Sequence, residues 1–137
     1  MNEQVQAELK KIFNGRFSTS ESARANYARG EDTYDPVLSK AVVFPETNEE
    51  VSKILRLCNE HKIPVVPFGT GTSLEGNVVG NDKGITICLE KMNKILDVNV
   101  DDFDCRVQAC VTKEQLNDYL REDGVFFPID PGANAAI

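Results

Sequence analysis

The order of apolar runs and stop signals between residues 41 and 77 constrains this chain more than any other feature. Ala41-Val42-Val43-Phe44 is a short apolar run ended by Pro45. Thr47-Asn48-Glu49-Glu50 follows in capping-box form, with Thr47 as N-cap and Glu50 placed to reach back over the first turn. Behind it Val51, Ile54, Leu55 and Cys58 share one face of a helix running through residue 61. Val65-Val66 resumes as a strand between Pro64 and Pro67. A strand, a helix and a strand joined this closely favour a parallel pair, because the helix is the crossover that brings the second strand back in the same direction. The second strand runs straight into Phe68-Gly69-Thr70-Gly71-Thr72-Ser73-Leu74-Glu75-Gly76-Asn77.

The flanks are read by the same periodicities. Val5, Leu9, Ile12 and Phe13 recur at helical spacing, so residues 3–13 form an amphipathic helix that Asn14-Gly15 stops. Residues 18–35 are polar and mixed, with room for a short helix after Ser18 or Ser20. They read as a cap or strap without chemistry of its own. Past residue 80, Ile85 to Leu89, Ile95 to Val100 and Cys105 to Val111 are three strands in quick succession. Thr112-Lys113-Glu114-Gln115 is a second capping box, opening a helix that should bury Leu116, Tyr119 and Leu120. Asp123-Gly124 ends that helix and Val125-Phe126-Phe127 starts another strand. The class is α+β: a βαβ start, a mainly β segment and a further helix.

Composition excludes several functions. A chain of 137 residues holds one ordinary domain or a piece of something larger, and 41% hydrophobic residues is not the composition of a disordered protein. Fifteen Lys and Arg against 22 Asp and Glu leave a net charge of -7, which argues against nucleic acid as a partner. No apolar run approaches the roughly 20 residues of a membrane span. The polar, acidic N-terminus does not read as a secretory signal, so a cytoplasmic chain is expected. Cys58, Cys88, Cys105 and Cys110 have no Cys-x-x-Cys spacing and read as small, reduced hydrophobic residues. His61, the one histidine, stands at the charged end of a helix and faces solvent rather than serving as a base or metal ligand. Asp101, Asp102 and Asp104 read as a solvated turn.

The glycine-rich segment is where the chemistry concentrates. Five of the nine glycines fall in residues 69–84. Glycine permits positive φ and close approach, so such a loop can turn successive N–H groups toward one point, with the hydroxyls of Thr70, Thr72 and Ser73 beside them. The natural guest is a phosphate or pyrophosphate, and the alternative is a tight surface loop with no ligand. No Lys or Arg lies within residues 63–82, so backbone and hydroxyl dipoles would do the holding. The spacing Gly69, Gly71, Gly76 is too long for the G-x-G-x-x-G dinucleotide fingerprint, and no Gly-Lys-Ser/Thr completes a P-loop.

Val65 through Gly76 closely resembles the FAD pyrophosphate loop of the FAD-linked oxidases of the vanillyl-alcohol oxidase and p-cresol methylhydroxylase (PCMH) type. Within that family it looks most like the D-lactate dehydrogenases and the D subunit of glycolate oxidase. The resemblance spans residues 38–137 and includes a second segment, Phe126-Phe127-Pro128-Ile129-Asp130-Pro131-Gly132-Ala133. It implies the N-terminal portion of a PCMH-type FAD-binding domain. Residues 1–37 would be a helical leader, and 38–137 an incomplete FAD-binding domain cut at its C-terminal side.

By that resemblance Gly69, Thr70, Gly71, Thr72 and Ser73 wrap the pyrophosphate, with Phe68 beside it where many relatives have Arg. Gly76 and Asn77 lie toward the ribityl or flavin side. Pro131, Gly132, Ala133, Ala135 and Ala136 form a second flavin-contacting segment, Ala136 standing where relatives usually carry Ser or Thr. Members with covalent FAD in this domain use a His in the first loop; none stands here, which implies dissociable FAD. The activity implied is oxidation of a small D-2-hydroxy acid by hydride transfer to flavin, with a further electron acceptor. The intact enzyme could lie at the membrane periphery. The chain alone is expected to bind FAD weakly or not at all and to show no turnover. The competing readings are a stand-alone nucleotide-binding or regulatory module without catalysis, and a structural piece that binds nothing.

Overall fold

The computed structural model of the chain describes residues 3–130 and 132. Its contacts divide it into two compact units, one up to Lys91 and one from Met92.

In the first unit, α1 (Glu3–Ile12) leads to a short strand β1 (Phe17–Ser18), the helix α2 (Glu21–Asn26) and the strand β2 (Val42–Val43). Then come α3 (Asn48–Glu60), β3 (Val65–Phe68) and β4 (Ile85–Cys88). The sheet order is β1-β2-β4-β3, with β1 antiparallel to β2 and β4 parallel to both its neighbours. The strand–helix–strand unit is therefore real, but β2 and β3 do not pair. β4 lies between them, and β1 is a strand that the polar stretch around it hides. Pro67 is tolerated within β3 because, among the described residues, β3 is an edge strand that pairs only with β4.

Alternation along β2 and β4 sorts their side chains onto two covered faces. Ala41, Val43, Ile85 and Ile87 join Val5, Leu9 and Phe13 of the N-terminal segment and Ile54 and Cys58 of α3 in one core. Val42, Cys88 and Phe68 face the other way, with Val78, Tyr27 and Phe44 packed on them. Covering on both faces explains why β4 is buried along its whole length. Thr86 points to the second face, where its hydroxyl donates to Ser39 Oγ at 2.9 Å and leaves no orphan polar group.

Caps and ion pairs fix the ends. Thr47 Oγ1 accepts from Glu50 N–H at 3.2 Å, and Ser20 caps α2 through Ala23 N–H at 3.4 Å. Glu50 does more than close its box. Its carboxylate takes both Nη atoms of Arg16, at 2.7 and 2.6 Å, and accepts from Glu46 N–H at 2.7 Å. The Arg16 hydrogen bonds hold the Glu50 carboxyl down at about 2. Of the apolar stripes, Ile12 and Leu55 end up exposed, because each lies at the edge of its helix's buried face.

In the second unit β5 (Ile95–Asn99) and β6 (Asp104–Val107) form an antiparallel hairpin with a register shift between Ile95 and Asp97. The helix α4 (Lys113–Leu120) packs Leu116 and Leu120, with Val111, against Ile95, Val98 and Val107. Thr112 Oγ1 caps it through Gln115 N–H at 3.2 Å, and Gln115 Nε2 donates to Asn93 O at 2.7 Å. Two expectations fail here. Tyr119 is exposed, since α4 buries only the stripe one turn apart that Leu116 and Leu120 occupy. Residues 125–127 form no strand. The backbone of Phe127 pairs instead with the Asn117 amide, whose Oδ1 accepts at 2.7 Å and whose Nδ2 donates at 3.3 Å. Asn117 stands in for a strand partner.

Three of the cysteines behave as small hydrophobic residues, and burial pushes the Cys58 thiol up to about 11. Cys105 departs from that expectation: it lies exposed on the hairpin.

Candidate functional site

The glycine-rich segment leaves the edge strand β3 and returns to β4 without a helix of its own. Its shape comes from two glycines and one aromatic floor. Gly71 has φ of +74° and Gly76 of +72°, conformations that L side chains rarely adopt. A Cβ on Gly71 would stand 2.8 Å from Phe68 Cζ. Phe68 turns its ring inward, under the loop, where it meets Tyr27 edge-on at 5.2 Å. Its place is therefore the floor of the site rather than its open face.

Above that floor, Thr70 Oγ1 and Thr72 Oγ1 stand 3.3 Å apart, so two hydroxyls converge on one side. Ser73 Oγ accepts from Glu75 N–H at 3.4 Å. Among the described residues, the N–H groups of Gly71, Thr72 and Ser73 donate to no partner. Gly69 continues directly from β3, and Asn77 is exposed at the far end, one residue before Val78 turns into the core. Consecutive amides without a described partner, beside converging hydroxyls and in a stretch of residues 63–82 without Lys or Arg, are donors of the kind an anion-binding nest uses. This donor set fits a diphosphate group.

Of the residues expected to contact flavin in the second segment only Gly132 is described, and it is exposed. Pro131, Ala133, Ala135 and Ala136 lie outside the described residues.

A neighbour missed in the sequence is the stretch from Tyr27 to Lys40. Glu31 N–H donates to Gly71 O at 3.0 Å, Gly80 N–H to Ala28 O at 3.0 Å, and Lys40 N–H to Gly84 O at 2.8 Å. Gly30 lies so close that a Cβ there would stand 2.7 Å from Gly71 O. The one available signal was a glycine and two tyrosines, Tyr27, Gly30 and Tyr34, in a segment without helical or strand period.

Elsewhere, an apolar cleft of about 460 Å³ opens in the second unit, lined by Val98, Phe103, Leu116, Leu120 and Phe126 among others. Among the described residues no cluster of His, Cys, Asp and Glu is arranged for a metal ion, and no helix is long and apolar enough to cross a membrane.

The fold and this loop define a class. The family model described as FAD binding domain matches residues 39–136, and the chain belongs to that family, with FAD as its cofactor. The chain is 40% identical over 120 residues to the probable D-lactate dehydrogenase, mitochondrial, of Danio rerio. That match covers 88% of this chain and 24% of the relative. It is 30% identical over 117 residues to glycolate oxidase subunit GlcD of Bacillus subtilis (strain 168), covering 85% of this chain and 25% of the relative.

Solved structures agree on the fold. Alkyldihydroxyacetonephosphate synthase superposes with a TM-score of 0.88 at 20% identity, over 99% of this chain and 28% of that one. Substrate-bound p-cresol methylhydroxylase gives 0.72 at 22% identity, over 90% and 26%. The chain thus has the PCMH-type FAD-binding fold and spans about a quarter of the length of the curated relatives it matches.

Proposed function

We propose that this chain is the pyrophosphate-holding part of an FAD-dependent oxidoreductase acting on a small D-2-hydroxy acid of the D-lactate or glycolate type. The observation that carries the proposal is the nest itself: the N–H groups of Gly71, Thr72 and Ser73, without partners among the described residues, beside the paired hydroxyls of Thr70 and Thr72. The substrate class is supported by the names of the two relatives, a D-lactate dehydrogenase and a glycolate oxidase subunit.

In this reading Gly69 through Ser73 hold the diphosphate, and Phe68 supports them from below. Gly76 and Asn77 line the ribityl side, and Pro131, Gly132, Ala133, Ala135 and Ala136 supply a second contact. Bound FAD supplies the two-electron acceptor that a side chain cannot provide. The chain's own task is to bind and orient, by dipoles rather than by charge, which lets an acidic protein hold a dianion. The cofactor is dissociable, residues 1–37 act as a leader to the binding region 38–137, and the electron acceptor belongs to the intact enzyme. We place the protein in the cytoplasm, whereas the Danio rerio relative is named mitochondrial; cell fractionation of the native protein separates the two.

The test is titration of the purified chain with FAD, followed by flavin fluorescence, with ADP as competitor for the diphosphate. Gly71→Val combines a strained positive φ with a clash against Phe68, and it should weaken binding tenfold or more. If FAD binds and Gly71→Val binds it equally well, the nest is not the site.

A further inference from the structure

The glycine loop is backed by a strap, residues 27–34, which reaches it at both ends and in the middle. At one end the Tyr27 ring sits edge-on between Phe44, at 5.4 Å, and Phe68, at 5.2 Å. At the other, a Cβ on Gly76 would stand 2.7 Å from the Tyr34 ring. In the middle, a Cβ on Gly30 would meet Gly71 O at 2.7 Å and both Ser73 O and Val78 Cγ2 at 2.8 Å. The strap is itself closed by Asp32, whose carboxylate accepts from Gly30 N–H at 3.2 Å and from Tyr34 N–H at 3.0 Å.

One bond in this set has a directional consequence. In a planar trans peptide the C=O and the following N–H point in opposite directions. The Gly71 carbonyl accepts from Glu31 N–H at 3.0 Å, so the Thr72 N–H of the same peptide is turned away from the strap. We infer that residues 27–34 are a positioning element for the dinucleotide loop. The Glu31 N–H aims the Thr72 amide outward, and Gly30 is glycine so that the two backbones can approach closely enough for that bond. The inference rests on the reading of the loop as the diphosphate site. It assigns a role to a segment outside the family match, which begins at residue 39.

The experiment uses the full chain in four variants. Glu31→Pro deletes the N–H, and Glu31→Ala removes only the exposed side chain and keeps it. Gly30→Val forces the backbones apart, and Asp32→Ala opens the strap's turn without adding bulk. FAD affinity is read by flavin fluorescence, and the loop's rigidity by backbone ¹⁵N order parameters at Gly71–Ser73 without FAD. Amide exchange in β2, β3 and β4 reports the fold separately.

Glu31→Pro and Gly30→Val should weaken FAD tenfold or more and lower the loop order parameters from about 0.85 to below about 0.6. Strand protection should hold, and Glu31→Ala should match the parent chain. Asp32→Ala should give a smaller loss of the same kind, and it decides the matter if Gly30→Val fails to fold. Loop order unchanged in Glu31→Pro, or lost equally in Glu31→Ala, overturns the inference. If Gly71→Val abolishes FAD binding while every strap variant keeps it, the strap inference alone fails. If the strap variants disorder the loop while Gly71→Val still binds FAD, the site assignment alone fails.

Discussion

In the unit up to Lys91 the glycine loop is packed against backbone as well as against the rings of Phe68 and Tyr34, whereas in the unit from Met92 the cleft is walled mainly by apolar side chains. Carbonyls of the loop admit no Cβ at Gly30 of the strap, and the Val37 and Pro64 carbonyls admit none at Gly80 and Gly84. The cleft in the second unit keeps Phe103 85% and Phe126 73% exposed at its rim. A loop that binds through peptide dipoles needs each amide held at a set angle, and a bond such as Glu31 N–H to Gly71 O holds one. An apolar cleft needs no such support, because burial of apolar surface has no preferred direction.

Substitutions can break that contrast. Gly80→Ala should have the largest effect, because its Cβ would stand 1.9 Å from Val37 O. A loss of about 3 kcal/mol or more is expected, read as lower amide protection throughout the first unit. The acid response comes next. Glu50 is held at about 2 by Arg16, below its ordinary 4.5, so the pair's stabilisation is complete above about pH 4.5 and is lost as pH falls toward 2. A drop of about 2 kcal/mol in the first unit is expected over that window, and Arg16→Gln should flatten it. Of the second unit's pairs, Lys113 with Asp130 lowers the Asp130 carboxyl but is exposed, and it should leave no measurable acid transition. A first unit whose acid curve is as flat as the second's would show that Arg16–Glu50 does not tie the N-terminal segment down.

Smaller effects sharpen the same comparison. Gly124→Ala meets nothing within 4 Å and is penalised only by its φ of +70°, so about 1 kcal/mol is expected by urea denaturation. Phe103 has φ of +53° with an exposed ring, and Phe103→Asn should be neutral or stabilise the hairpin by under about 1 kcal/mol. A large loss there would mean that the cleft needs its rim.

Much of this molecule is legible because local chemistry and tertiary role agree. Thr47 and Thr112 cap helices where capping boxes stand, and Gly124 ends the last turn in a left-handed conformation. The loop after β3 is readable because glycines at Gly71 and Gly76 answer a local backbone demand that no other residue meets without strain. Illegible features have distant causes. Nothing near Val65 states that β4, some twenty residues on, will separate β3 from β2. Phe127 lacks a strand partner because Asn117 satisfies its backbone. Tyr119 is exposed because the second unit's core takes only the Leu116 and Leu120 stripe of α4.

The sequence by itself determined the helices, their caps, the glycine loop and the family, since each is written in contiguous residues. Tertiary structure decided the strand order, the inward turn of Phe68 and the strap behind Gly71. Those depend on which segments far apart in the chain bury each other's surface, and period or propensity carries no record of that choice.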